Sequence, residues 1–343
     1  MSWVLLLGIE TSCDDTATAV VRDGVRVLAN VSTNQDEFHA KYGGIVPEIA
    51  SRRHAALLSA AVDDALTRAG LTLAGVDGIA VTAGPGLIGS LVVGVATAKA
   101  LAFATGLPLY AVNHLHGHLF APFLERDEPP VYPFLALLVS GGHSQLVEVR
   151  SPTSLRIIGK TRDDAAGEAY DKTARLLDLP FPGGPALEVL ARDGDPKAIA
   201  FPRHRPDPGT LDMSFSGLKT SVRYYLESDA GRNARREDVA ASFQAAVVDV
   251  LIDRTIRALD GEHGQRPDGG YRALVLSGGV AANNALQSAF LALGASRGIP
   301  TFAPERRFCT DNAAMIAAAA DRRGEAARAN PATLVADPNL PFA

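Results

Sequence analysis

Three of the eight histidines in this 343-residue chain fall within one short run, Asn113-His114-Leu115-His116-Gly117-His118. His114 and His118 are four apart, so on a helix they share one face and their imidazoles can grip a single metal ion. Asn113 is a good N-cap for such a helix, and Pro122 is expected to end or kink it. His116 points off that face and reads as a bystander. Asp311, in Cys309-Thr310-Asp311-Asn312, stands at the start of an alanine-rich helix and is a plausible third donor. Two imidazoles and a carboxylate suit iron, zinc or manganese, with positions left open for substrate. Two blander readings stay open: a solvated histidine patch, and an Asp311 that merely caps its helix.

A second kind of chemistry is suggested by four short apolar runs that each end in a turn of small or hydroxyl residues. Val4–Ile9 runs into Glu10–Thr16, and Gly78–Val81 runs into Thr82–Gly89. Phe134–Val139 runs into Ser140–Ser144, and Arg272–Leu276 runs into Ser277–Asn283. Such turns expose backbone N–H groups that can cradle phosphate or carboxylate oxygens, although glycine also ends strands for steric reasons alone. Four together point to nucleotide binding at a common cleft. The repeated Ser-Gly-Gly is a faint internal echo. Between Asp163 and Lys172, the carboxylates of Asp164, Glu168 and Asp171 line one side of a helix, where they would accept hydrogen bonds from ribose hydroxyls or form a solvated acidic face. Phe181-Pro182-Gly183-Gly184-Pro185 forces a tight turn where a base could lie against the backbone.

The apolar runs read as strands buried on both faces. Helical patterns lie between them at Ile49–Arg68, Leu91–Ala104 and Asp238–Leu259. That alternation indicates an α/β protein with its ligand at the strand ends. Residues 152–236 read as a helical insertion in the second lobe, and a boundary near Asp127-Glu128-Pro129-Pro130 divides the chain into lobes 1–130 and 131–343. The tail from Asn330 reads as irregular. The net charge of −5 gives no whole-surface attraction for nucleic acid, so any RNA contact must come from a local patch or a partner. Two cysteines, Cys13 and Cys309, imply no disulfide framework and suit a reducing compartment. The opening Met1–Leu7 reads as a buried strand rather than a signal peptide. No stretch is expected to approach the roughly 18 uncharged apolar residues of a membrane helix, so the expectation is cytoplasmic, with no membrane partner.

Taken in order, these blocks resemble the tRNA adenosine threonylcarbamoyltransferase family. The matching residues are Gly8–Thr16, Gly43–Glu48, Thr82–Leu91, His114–His118, Leu138–Ser144, Asp163–Lys172 and Pro182–Pro185. They continue through Ser214–Thr220, Gly278–Asn283 and Thr310–Ala314, so the match covers essentially the whole chain. The resemblance implies a two-lobed, actin-like or sugar-kinase-like ATPase fold. It also implies transfer of the threonylcarbamoyl group from threonylcarbamoyl-AMP to N6 of the adenosine 3′ of the anticodon. It gives His114, His118 and Asp311 one divalent metal per chain, iron first, with zinc or magnesium as alternatives. Substrate contact falls to Leu138, Val139, Ser140, Gly141, Gly142 and His143, and Asp171, Gly184, Glu188 and Asn283 match further nucleotide-contacting positions for the adenylate or ATP. Implied partners are tRNA, a non-catalytic paralogous subunit, a small P-loop ATPase and an upstream synthase that makes the adenylate. Two departures stand out: Asp15 where members often carry Glu, and His116 where another residue is common.

Asp14 or Asp15, close to the glycine turns, is the expected group that steers or accepts the amine proton. A secreted metallopeptidase would need His-Glu-x-x-His, but Leu115 follows His114. A small-molecule kinase of the same fold has no use for the histidine pair. A binding-only scaffold would lack it, and this chain retains it.

Overall fold

The computed structural model describes residues 4–205, 207–262, 264 and 266–343. Met1–Trp3 of the apolar opening run lie outside the described residues. The chain divides into two compact units, Met1–Pro129 with Pro304–Ala343, and Pro130–Ala303.

The first unit opens with strands β1 (Leu5–Glu10), β2 (Thr16–Arg22) and β3 (Arg26–Thr33). Helices α1 (Asp36–Ala40) and α2 (Pro47–Arg68) follow, then β4 (Gly78–Gly84), α3 (Ile88–Thr105), β5 (Leu109–Asn113) and α4 (His114–Phe120). The second unit holds β6 (Phe134–Val139), β7 (Ser144–Ser151), β8 (Ser154–Lys160), α5 (Ala166–Leu176) and α6 (Gly183–Ala191). It continues with α7 (Ser216–Glu227), α8 (Asp229–Arg232), α9 (Arg236–Asp260), β9 (Ala273–Ser277), α10 (Asn284–Arg297) and β10 (Thr301–Phe302). The chain then returns to the first unit as α11 (Ala313–Arg323) and β11 (Arg328–Ala329).

This division differs from two consecutive lobes, because residues 304–343 rejoin the first unit. The cause is α11. Its alanines from Ala313 to Ala320 are all buried with Met315 and Ile316, and so small a helix can lie flat on a sheet. A Cβ on Gly8 of β1 would sit 2.2 Å from the Ala313 carbonyl oxygen, and one on Gly117 of α4 would sit 2.7 Å from Ile316 Cδ1. Two missing side chains therefore let α11 seat against both β1 and α4.

Each unit carries one sheet, and the two sheets share a topology. The first runs β11-β5-β4-β1-β2-β3 and the second β10-β9-β6-β7-β8. β1 pairs antiparallel with β2 (Leu7 opposite Val20) and parallel with β4 (Leu7 opposite Ile79). β6 likewise pairs antiparallel with β7 (Leu137 opposite Leu146) and parallel with β9 (Leu137 opposite Leu276). The Ser-Gly-Gly echo lies within the second unit, after β6 and β9, and so does not mark this five-strand repeat. The central strands bury nearly every residue, as continuous apolar runs should.

Residues 152–236 begin with a strand, which corrects the helical reading there. β8 is an edge strand that alternates exposed and half-buried residues, with Ser154 and Arg156 facing water, so it lacks the apolar run that marks a central strand. In the first unit, α2 and α3 cover the sheet through Leu58, Val62, Val95 and Ala98, which pack with Leu7, Ile9 and Val81. The sequence expectation of no membrane-length stretch is also corrected. Ile88–Thr105 is long and apolar enough by length and composition. It keeps Leu91, Val95 and Ala102 in the core, while Ile88, Val92 and Phe103 are exposed.

The tail is irregular but anchored. The Asp337 amide donates to the Ala83 carbonyl at 2.8 Å, and the Gly86 amide donates to the Pro338 carbonyl at 3.3 Å. Asn113 Nδ2 donates to the carbonyls of Leu340 and Pro341. Phe342 is buried with its ring 4.9 Å from that of His116.

Candidate functional site: a metal triad and a glycine cradle

α4 forms as its sequence directs. Asn113 Oδ1 accepts from the Leu115 amide, and the helix ends at Phe120, before the short 3₁₀ turn that carries Pro122. One helical turn then sets His114 and His118 together, ring centroids 4.7 Å apart and nearly perpendicular. Asp311 meets them from the residue before the α11 cap. Its Oδ1 lies 3.5 Å from His114 Nε2 and 3.2 Å from His118 Nε2. The capping duty falls to Asn312, whose side chain accepts from the Met315 amide, so Asp311 is left facing the imidazoles. Potential ligand atoms of all three residues lie within 4.8 Å of one another. That spacing suits a single ion with open coordination positions.

A residue to which sequence reasoning gave no role completes the arrangement. Glu10, fully buried at the end of β1, accepts from the Thr82 hydroxyl at 2.6 Å and from His114 Nδ1 at 3.0 Å. Its other oxygen accepts from the Ser12 amide. A carboxylate only accepts, so Nδ1 of His114 carries a proton, and Nε2 is the nitrogen left facing Asp311, free to bind an ion once its own proton is lost. The signal was a charged residue ending an otherwise apolar strand.

The electrostatics agree with a cation site. Burial opposes a charged His114, but the Asp311 and Glu10 carboxylates outweigh it and hold its pKa up at about 9. Burial likewise opposes the Asp311 anion, yet the two imidazoles hold it down at about 2. Metal binding at His114 therefore displaces a proton. His116 behaves as expected of a bystander. Burial and Arg323 push its pKa down to about 3, so it stays neutral against Phe342.

Asp14 and Asp15 follow β1 in a turn gripped by α2. His54 Nε2 donates to the Cys13 carbonyl at 2.9 Å and its Nδ1 accepts from Thr16 Oγ1 at 2.7 Å. Burial, then the Asp311, Asp14, Asp36 and Glu10 carboxylates, push Asp15 up to about 8. Asp14 is also raised, chiefly by burial.

The four strand-end turns fall into two pairs, one in each unit. In the first, the Leu87 amide donates to the Ser12 carbonyl, and a Cβ on Gly86 would sit 2.5 Å from that same oxygen. In the second, Leu138 and Val139 are buried in β6, and Ser140-Gly141-Gly142-His143 closes the turn to β7. Within that turn the Ser140 amide donates to the His143 carbonyl. The β9 turn lies against it: Gly278 has φ +91°, and a Cβ there would sit 2.4 Å from the Val139 carbonyl oxygen. Gly167, in the first turn of α5, approaches Ser140 as closely. Gly141, Gly142 and Gly279 face open space, leaving room for a ligand beside their amides.

The predicted nucleotide contacts gather around this cradle, several already engaged with their neighbours. Asp171 Oδ1 accepts from the amides of Gly183 and Gly184, fixing the start of α6. Glu188 Oε1 accepts from the Asn284 amide and side chain. Asn283 caps α10 at the Leu286 amide and donates to Gln244. Asp164 and Glu168 do not form a free acidic face. Lys172 bonds both, and Lys219 bonds Asp164 from α7. Asp163 accepts from the amides of Phe215 and Ser216, which holds the start of α7.

Comparisons with known proteins point to one family. Residues 26–318 match the family model described as tRNA N6-adenosine threonylcarbamoyltransferase. A relative of that name from Moorella thermoacetica is 50% identical over 339 residues, 98% of this chain and 97% of its own length. One from Paracoccus denitrificans is 51% identical over 341 residues, 98% of this chain and 93% of its own. Among solved structures, HypF from T.kodakarensis aligns with TM-score 0.59 at 14% identity, over 91% of this chain and 46% of that one. Component A of the Acidaminococcus fermentans (R)-2-hydroxyglutaryl-CoA dehydratase aligns with TM-score 0.52 at 14% identity, over 94% and 99%. These distant likenesses establish the actin-like ATPase fold. With the family model and half-identical relatives spanning nearly its full length, the chain belongs to the tRNA N6-adenosine threonylcarbamoyltransferase family.

Proposed function

We propose that this chain transfers the threonylcarbamoyl group from threonylcarbamoyl-AMP to N6 of the adenosine 3′ of the anticodon in tRNAs that read codons beginning with A, giving t6A. The observation that carries the reading is the meeting of His114, His118 and Asp311, largely sheltered from solvent, beside buried Glu10, in a chain of that family. The lone pair of an adenine N6 amine is delocalised into the ring, so the acyl donor must be activated. A mixed carbamic–phosphoric anhydride supplies that activation. N6 attacks the carbamoyl carbon, the bond from that carbon to the phosphate oxygen breaks, AMP leaves, and one proton leaves N6.

His114, His118 and Asp311 hold the metal, with iron the proposed ion and zinc or magnesium the alternatives. When bound, it supplies a Lewis acid that polarises a carbonyl oxygen. Glu10 orients His114, and Asp14 or Asp15 takes the N6 proton. The amides at Gly141, Gly142 and Gly279 and the start of α6 at Gly183-Gly184 hold the adenine nucleotide and stabilise charge on departing AMP. Leu138, Val139, Ser140 and His143 build the turn, while Asp171, Glu188 and Asn283 brace its neighbours. The proposed setting is cytoplasmic, with a non-catalytic paralogous subunit, a small P-loop ATPase and an upstream synthase as partners. The family resemblance supports these partners, and the absence of a disulfide framework supports the compartment.

The test is to incubate the chain and its partners with unmodified tRNA and threonylcarbamoyl-AMP, then resolve the nucleosides by mass. Threonylcarbamoyladenosine is the expected product. Its absence with intact partners would overturn the reading and favour a kinase of the same fold.

A further inference from the structure

Phe38, Lys41, Tyr42 and Arg53 take no part in the chemistry proposed above, yet they form an ordered group beside it. Phe38 is 41% exposed and Tyr42 56% exposed. Each carries a cation. The Arg53 guanidinium stacks 3.5 Å from the Phe38 ring centroid, and Lys41 Nζ lies 4.9 Å from that of Tyr42. Neighbouring Arg52 is neutralised by Glu48, whereas Arg53 Nε is buried without a hydrogen-bond partner.

The group is anchored from below. His39 is fully buried, and its Nδ1 accepts from the Val46 amide, which folds the loop between α1 and α2 back on itself. Buried Gln35 donates to the Ala50 carbonyl. Arg53 directly precedes His54, which grips Cys13 and Thr16 on either side of Asp14 and Asp15. Asp36, at the start of α1, lies near enough to these two carboxylates to help raise the pKa of Asp15. The exposed rings are therefore built onto the support of the carboxylate turn.

Exposed rings with cations on their faces suit unpaired nucleobases. RNA loops are read by splaying bases onto aromatic and guanidinium planes, while nearby cations meet the phosphates. A chain of net charge −5 needs such a local feature to hold RNA. We propose that Phe38 and Tyr42, with Arg53 and Lys41 over their rings, form a stacking platform for an unpaired tRNA-loop nucleotide flanking the acceptor adenosine. This rests on the tRNA reading above.

The test uses the chain with its partner proteins, threonylcarbamoyl-AMP and unmodified tRNA. KM and kcat for tRNA are measured for the wild type, Phe38→Ala, Tyr42→Ala and the conservative Phe38→Tyr and Tyr42→Phe. Each alanine variant is expected to raise KM for tRNA by about tenfold. The conservative variants stay near wild type, and metal content and adenylate affinity do not change. Lys41→Ala should reduce the salt slope of tRNA affinity by about one. Alanine variants with wild-type KM would overturn the platform while leaving the transferase reading intact. Loss of a protein partner with tRNA affinity preserved would also overturn it, by making the patch a protein interface. If the wild type itself forms no threonylcarbamoyladenosine, the transferase reading falls and the platform falls with it.

Discussion

Glu10 shows how much of the site is decided by single side chains. One carboxylate, sealed at the end of β1, fixes which nitrogen of His114 faces Asp311. Glu10→Gln keeps the shape but removes the charge that holds Nδ1–H. Metal affinity is expected to fall about 10- to 100-fold, read by equilibrium dialysis, and unchanged affinity would deny Glu10 this role. Asp15 carries a pH signature. Its pKa is raised to about 8 by burial and by the carboxylates around it, so the proton-accepting form predominates only above that value. A cation on the triad favours the carboxylate and lowers the midpoint. The single-turnover rate should therefore climb with pH to a midpoint at or below about 8, and Asp15→Asn should abolish that rise. A climb that survives in Asp15→Asn would place the titrating group elsewhere. The histidine pair was legible because helical spacing alone sets two side chains on one face. Glu10 was not, because its role depends on a partner 104 residues away in the chain.

Among the elements, α11 decides whether the triad exists at all. It brings Asp311 to α4 only because Gly8 and Gly117 leave room. Gly8→Ala pushes a methyl to 2.2 Å from the Ala313 carbonyl oxygen, an overpacking that costs about 1–3 kcal/mol. A lowered Tm and weakened metal binding should appear together. Gly141→Ala meets nothing within 4 Å and should leave both unchanged, so equal effects from the two variants would contradict this account. Strands β1, β4, β6 and β9 and helices α2, α3 and α9 were legible from apolar runs and helical periodicity. β8 was missed because an edge strand lacks the two-sided burial that marks its neighbours. The anchored tail was missed because its bonds run through backbone carbonyls, whose partners no sequence pattern names.

At the scale of the whole molecule, one strand plan occurs twice, and different residues gather near the paired strand ends of each unit. The first carries the carboxylate turn and the metal triad, and the second the glycine cradle. The return of residues 304–343 to the first unit could not be read from segment order, because it depends on how closely α11 can approach β1. If each unit owns its ligand, the two binding events separate by mutation. His114→Ala should lose the metal and keep adenylate affinity within about twofold, while Asp171→Ala, which frees the Gly183-Gly184 turn, should do the reverse. Loss of both ligands in either properly folded variant would show that they are not independent.

The central claim is that His114, His118 and Asp311 share one ion. The most direct measurement is an anomalous-scattering map of the purified protein, collected on both sides of the absorption edge of the metal found in it. The account predicts one peak per chain, about 2.0–2.2 Å from an imidazole nitrogen of each histidine and from an Asp311 oxygen. A full-occupancy peak elsewhere, with none among these three side chains, would contradict it.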